Sequence, residues 1–317
     1  MTDIHPLLPE DAAAVAMMRQ AASSHKGEIL GPEARPIFDA MLAATSPASG
    51  IRVEPATVGG IAGFWLRPDT AQPGARMLYL HGGGYMLGAA RAFTSFAGQI
   101  ATRIGADTFV PDYRLAPEYP FPAAIDDVVA TYRGLVAEGA ERIVVAGDSA
   151  GGGLTLALLP ILADERTRGT LQPVAAAVMS PWTDLALTGA SFETRAAADP
   201  IFTRGTLQAF ADAYLQGQAA TDPRASPLYA RLGGLPPIRI DVGEDEVLLD
   251  DSVRYADRAR AAGVDVTLAV WNGMPHVFQS SIGRFRAAEQ SLNAIGQFLR
   301  QRLIVAVDPS TRLEVRP

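Results

Sequence analysis

The chain has 317 residues, of which 48% are apolar, enough to bury a large core. Lys and Arg number 27 against 34 Asp and Glu, a formal charge of −7 with no basic run, which argues against nucleic acid as a partner. Cysteine is absent, which excludes disulfides and thiolate chemistry, and the four histidines, His5, His25, His81 and His276, lack metal-ligand spacing.

The N-terminus has no basic stretch running into an apolar core, so no signal peptide is expected. The longest apolar run, LTLALLPILA, is broken by Pro160 and is too short to span a bilayer. The expectation is a soluble, cytoplasmic protein with no membrane partner.

Residues 1–50 read as helical, with Met17, Met18, Ile37, Phe38, Met41 and Leu42 available to cover apolar surface. From residue 51, short β-branched or apolar runs begin: IRVEPATV, IAGFWLR, RMLYL, DTFVPDY, RIVVAG, VAAAVMS, IRIDVG and DVTLAVW. Amphipathic stretches such as FPAAIDDVVATYRGLVAEG lie between most of them. That alternation predicts an α/β fold with a mostly parallel eight-stranded sheet flanked by helices. The first two strands have no helix between them and are expected to form an antiparallel hairpin near Gly59 and Gly60. Residues 185–220 interrupt the alternation with TRGTLQAFADAYLQG. The predicted organisation is an N-terminal cap segment (1–50), a core in two parts (51–184 and 221–305), a cap insertion (185–220) and a polar tail (306–317). Met17, Met18, Met41, Phe192, Phe202, Phe210 and Tyr214 are the expected roof.

Gly147-Asp148-Ser149-Ala150-Gly151 lies between a predicted strand and a predicted helix, the setting that gives G-x-S-x-G its meaning. The sharp turn needs small flanking residues and exposes the serine hydroxyl above the sheet. The following helix favours negative charge at that point. The phosphate-loop lysine and the G-x-G-x-x-G spacing are both missing. A serine nucleophile needs a base, and where the chain order is Ser, acid, His, only His276 follows Ser149. The acid should follow the strand IRIDVG. Asp241 lies within that strand, and Asp250 and Asp251 open the next helix, leaving Glu244, Asp245 and Glu246. Asp245 is the expected acid, holding the imidazole tautomer. The triglycine after His81 suits backbone donors aimed at an oxyanion, with Gly82, Gly83 and Ala150 as the expected hole. His81 is expected to brace that loop. Arg114 and Glu118 are expected to pin the loop after their strand rather than to act on substrate.

HGGGY (81–85), DYRLAPEYPFPAA (112–124), GDSAGG (147–152), SPWTDL (180–185), GEDEVLLDD (243–251) and NGMPHVF (272–278) occur in that order. Together they make the chain resemble the hormone-sensitive-lipase-like branch of the α/β-hydrolases, over nearly all of 51–303. The resemblance implies a capped α/β-hydrolase fold and a carboxylesterase without cofactor or metal, acting on small-molecule esters. It also implies a catalytic aspartate at Asp245, although the usual Asp-Pro-Leu is here Asp245-Glu246-Val247, which leaves Glu244 as the alternative. Tyr85, Met86, Leu87, Asp184, Leu185, Phe192, Val277 and Phe278, which lie within these motifs or shortly after them, are the expected pocket residues. Dimers in the family often form through the last strand and helix, so the resemblance allows a homodimer. Lactone hydrolases and amidases share this machinery. Plant gibberellin receptors resemble these enzymes but lack the histidine corresponding to His276.

Overall fold

The structure is a computed structural model that describes residues 2–305, so the predicted tail 306–317 lies outside the described residues. The elements run β1 (Thr2–His5), α1 (Pro9–Ala22), α2 (Arg35–Ala43), β2 (Ile51–Val58), β3 (Ile61–Pro68), β4 (Ala75–Leu80), α3 (Ala90–Ile104) and β5 (Asp107–Pro111). They continue with α4 (Ala123–Ala137), β6 (Arg142–Asp148), α5 (Ser149–Asp164), β7 (Ala175–Met179), α6 (Ser191–Thr194) and α7 (Arg204–Leu215). The chain closes with β8 (Ile238–Gly243), α8 (Leu249–Ala261), β9 (Val266–Trp271) and α9 (Arg286–Val305).

Among the described residues, one sheet of nine strands runs in the order β1-β9-β8-β7-β6-β4-β5-β3-β2. Pairing is parallel from β1 to β5 across that order, and antiparallel at β3–β5 and β2–β3. The β2–β3 hairpin turns at Gly59 and Gly60, where φ is +60° and +83°. Side chains of β4 show why both faces must be covered, because successive residues point to opposite sides. Met77 and Tyr79 pack with Phe93, Phe96 and Ile100 of α3 and Leu292, Ile295 and Leu299 of α9. Leu78 and Leu80 pack on the other face with Val128 and Tyr132 of α4 and Leu154 and Leu158 of α5. The helix α8 extends that second layer, placing Tyr255 and Ala256 against Ile240 and Val242 of β8.

The ninth strand is β1, from a segment expected to be helical. It pairs Thr2 with Leu268 through His5 with Trp271, and the His5 ring stacks on the Trp271 ring at 3.9 Å. Four residues ended by Pro6 are too few to show a two-residue period. This strand also occupies the edge of β9, so a second copy docking at that end of the sheet would meet β1.

The N-terminal segment and the 185–220 insertion meet one another. Lys26 Nζ donates to the Ala196 carbonyl at 2.6 Å, and the Gly27 amide donates to Ile201 O at 3.1 Å. Of the expected roof residues, Phe192, Phe210 and Tyr214 are buried, while Met17 and Met41 are 72% and 64% exposed and cover nothing. Met18 instead packs at the edge of the Trp271 cluster.

Candidate active site

Parallel strands deliver all the chemistry-bearing loops to one end of the sheet. The triglycine follows β4, Ser149 follows β6, the acidic loop follows β8, and His276 follows β9. Ligands of open α/β sheets bind at the carboxyl ends of their strands.

Ser149 is the first residue of α5 and has φ +52°, a left-handed conformation that a residue with a Cβ adopts at a cost. The turn is possible because its neighbours lack side chains. A Cβ on Gly151 would run into the Leu80 carbonyl, and one on Gly147 would lie 2.5 Å from the Gly151 oxygen. The Ser149 carbonyl is fixed by the Trp182 amide at 3.0 Å, and the residue is nearly buried at 9% exposure.

The imidazole is held by a carboxylate, but not the expected one. His276 Nδ1 lies 2.6 Å from Glu246 Oε2. The other oxygen, Oε1, accepts from Ser180 Oγ at 2.8 Å and from the Gly243 amide at 2.7 Å. The Ser180 hydroxyl in turn accepts from the Val277 amide, next to His276, at 3.1 Å. Asp245 points the other way and pairs with Arg19 of α1, while Glu244 pairs with Arg195 at 3.2 Å. The expected acid, Asp245, is therefore replaced against the imidazole by its neighbour Glu246, and Glu244 is not there either. Only the next residue in the turn after β8 projects inward, and its longer side chain reaches from there to the ring. Burial on its own lowers the His276 pKa. The charge and hydrogen bond of Glu246, with Asp199 and Asp148 behind them, outweigh burial and leave it above the ordinary value. His276 Nε2 is buried with no partner among the described residues.

At the triglycine, Gly83 has φ +116° and Gly84 φ +61°, left-handed conformations that glycine adopts without the cost a Cβ brings. A Cβ on Gly83 would strike the Leu87 carbonyl, and one on Gly84 would lie 3.0 Å from the Phe210 ring. The Gly82 amide is already engaged, donating to Asp148 Oδ1 at 3.2 Å beside the Tyr79 hydroxyl at 2.6 Å. Gly82, expected in the oxyanion hole, thus spends its donor on the loop itself. The amides of Gly83 and Gly84 meet no acceptor among the described residues. Ala150 occupies the first turn of α5, where amides have no partner within the helix. His81 does brace the loop: its ring stacks on Tyr113 at 4.3 Å and on Phe93, and its Nδ1 lies 2.8 Å from Gly82 O. Burial pushes its pKa down to about 4, so it is neutral.

The expected pocket residues separate. Tyr85, Met86, Leu87, Leu185 and Phe192 share one buried cluster with Phe210 and Tyr214. The Tyr85 ring stacks on Tyr214 at 4.0 Å. Asp184 is not a lining residue. It is fully buried and accepts from the Ala186 and Thr188 amides, Tyr229 and Arg254, bracing its own loop. Val277 belongs to the α3–α9 core, and Phe278 packs with Trp271, away from the others. Arg114 and Glu118 do not meet. Arg114 grips Asp127, and Glu118 pairs with Arg35 of α2, which also holds the Met86 and Ala116 carbonyls. Both thus pin the loop, as expected.

Among the described residues no helix is long and apolar enough to cross a membrane, and no group of His, Asp and Glu could hold a metal ion.

The chain matches the model of the alpha/beta hydrolase fold family over residues 77–280. It is 41% identical to an acetyl-hydrolase of Streptomyces hygroscopicus, over 77% of this chain and 81% of that one. It is 34% identical to an esterase of Acinetobacter venetianus, over 85% of this chain and 89% of that one. Among solved structures, an esterase from the bacterial hormone-sensitive lipase family superposes with a TM-score of 0.85 at 39% identity, covering 93% of this chain and 98% of the other. The chain belongs to the alpha/beta-hydrolase family, in its hormone-sensitive-lipase-like branch, and is a carboxylic ester hydrolase.

Proposed function

We propose that the protein is a serine carboxylesterase for short- to medium-chain esters, with Ser149 as nucleophile, His276 as base and Glu246 as the orienting acid. The observation that carries this reading is the 2.6 Å contact between His276 Nδ1 and Glu246, with Nε2 left buried and unpartnered. Glu246 fixes the tautomer in which Nδ1 carries the proton, so Nε2 is a base. Nε2 takes the Ser149 proton as Oγ attacks the ester carbonyl, and the tetrahedral oxygen receives the amides of Gly83, Gly84 and Ala150. The imidazolium then protonates the leaving alcohol. Water repeats the sequence on the acyl-enzyme, releasing the acid and restoring Ser149. Preorganised backbone donors of this kind contribute about 2.7–4 kcal/mol each to the transition state.

The acetyl-hydrolase relative and the aromatic roof over Gly84 and Tyr85 support small acyl groups. The test is pre-steady-state hydrolysis of p-nitrophenyl acetate. A burst of one nitrophenolate per chain is expected, with an acetyl group on the peptide containing Ser149. Absence of both would remove the serine mechanism.

A further inference from the structure

Asp199 lies in the cap insertion between α6 and α7, and its side chain is fully buried. Its Oδ1 accepts from the amides of Ile201 at 2.7 Å and Phe202 at 2.8 Å. Its Oδ2 accepts from the amide of Val247 at 2.8 Å, and Val247 directly follows Glu246. One carboxylate therefore closes a turn of the cap and clamps that turn to the acidic loop. The turn carries Phe202, whose ring meets His276 edge-on at 5.1 Å and 83°. The cap thus bonds the residue next to Glu246 and touches His276 itself, and the turn that makes both contacts is closed by Asp199.

A turn-closing aspartate needs only its own two local amides. The third bond, to a segment 48 residues away, goes beyond turn formation. We propose that Asp199 is a positioning residue for ester hydrolysis, fixing the Glu246–His276 pair from the cap through the Val247 amide and the Phe202 ring. The proposal rests on the Ser149–His276–Glu246 reading. Asp199 also acts through its charge. The charged groups around His276 are Glu246 from the loop after β8, Asp148 from the end of β6 and Asp199 from the cap, and all three favour the imidazolium. Asp199 therefore has an effect on catalysis that a merely structural brace would lack.

The test is Asp199→Asn, compared with wild type by the pH dependence of p-nitrophenyl butyrate hydrolysis and by NMR titration of the His276 ring. Asparagine has one acceptor oxygen and cannot serve both sides of the clamp. A bond to a charged group is lost, so kcat should fall about 10- to 100-fold with KM little changed. The acidic limb of kcat/KM and the His276 titration should both move to lower pH, because a negative charge beside the imidazole is gone. A folded Asn variant with wild-type kcat and an unmoved limb would overturn the proposal. Should that variant not fold, hydrogen exchange at the Val247 amide of the wild-type protein decides. Protection equal to the interior of α8 is expected, and rapid exchange would overturn the clamp. Failure of the underlying mechanism is separately visible as turnover retained by Ser149→Ala, while the His276 titration still reports on Asp199.

Discussion

Arg19, on the N-terminal helix, forms an ion pair with Asp245, the residue immediately before the carboxylate that meets His276. The same guanidinium donates to the Ala198 carbonyl at 2.5 Å and to Gly273 O at 3.3 Å. One side chain thus joins α1 to the cap insertion, to the acidic loop and to the loop that carries His276. Arg195 holds Glu244 from the insertion. The three consecutive carboxylates 244, 245 and 246 therefore have three different partners, Arg195, Arg19 and His276, and the proposed mechanism uses only the last.

This division separates two substitutions that look alike on paper. Glu246→Gln should lower kcat by about 10⁴-fold, the effect of losing the charge that orients a triad histidine. Asp245→Asn should keep kcat within a few-fold and change stability by less than about 1 kcal/mol, since the Arg19 pair is partly solvent-exposed and burial, which raises the Asp245 pKa, offsets the pair. Steady-state kinetics and thermal melts of both variants provide the comparison. A larger kinetic loss in Asp245→Asn would mean that the acid changes partner when substrate binds.

The pH profile follows from the raised His276 pKa. An imidazolium that persists above the ordinary value of about 6.5 keeps the base unavailable to higher pH. The acidic limb of kcat/KM should therefore fall above 6.5. Stability runs the opposite way: a raised histidine pKa contributes stability below the unfolded value, and that contribution is lost as pH rises through the folded one. Activity should rise across the window in which this component of the melting temperature declines, and Glu246→Gln should flatten that decline. A limb at or below 6 would show that burial, not Glu246, dominates.

Much of this arrangement was legible in the sequence, and the exceptions share a cause. Strand alternation and the strand-to-helix turn at Ser149 rest on local patterns, and the sheet and that turn appear where the patterns placed them. Glu246, Gly84, Ser180 and Asp199 do not announce themselves locally. Which of three adjacent carboxylates turns inward depends on the turn after β8 and on a hydroxyl 66 residues away. Which triglycine amide is free depends on Asp148 capturing Gly82. The Asp245-Glu246-Val247 departure from Asp-Pro-Leu was the one available signal, since a missing proline changes how the loop turns. Strand β1 is too short for any period, and only its pairing with β9 reveals it.

Asp251, at the start of α8, offers a test of burial without catalysis. Its Oδ1 accepts from the amides of Thr183 and Asp184 at 2.8 and 2.9 Å, while Oδ2 is buried without a partner among the described residues. Burial pushes its pKa up to about 8. Between about pH 4 and pH 8 the folded chain therefore holds a proton that the unfolded chain has released, and stability falls as pH rises across that window. Asp251→Asn keeps the acceptor and removes the ionisation. It should melt higher than wild type at pH 8, with the difference shrinking toward pH 4. A lower melting temperature at pH 8 would mean that the charged form is the one the loop requires.

Phe210 of α7 limits what can happen at Gly84. A Cβ there would lie 3.0 Å from the Phe210 ring and would have to tolerate φ +61°. Gly84→Ala should displace an oxyanion donor and reduce kcat by about 10²-fold. Phe210→Ala in the same chain should recover part of that loss by giving the methyl group room. Equal kcat in the single and double variants would assign the whole loss to backbone strain.

On the proposed mechanism the same roof should govern acyl length. Phe210 lies over Gly84, Tyr214 stacks on Tyr85, and Phe202 stands against His276, so aromatic rings of the insertion cover the triglycine loop and the His276 loop. Tyr214 is further tied to the core, its carbonyl accepting from the Phe121 amide at 2.8 Å. Each CH₂ that enters an apolar pocket contributes about 0.8 kcal/mol, about fourfold in kcat/KM, only while room remains. Growth of kcat/KM should therefore run from acetyl to butyryl or hexanoyl p-nitrophenyl esters and then reverse. Phe210→Ala should move the maximum to longer chains, because it removes the ring and leaves the triad in place. A wild-type maximum at dodecanoyl or beyond, or activation by an oil–water interface, would show that the insertion swings away from Gly84 in solution and that the roof is a lid.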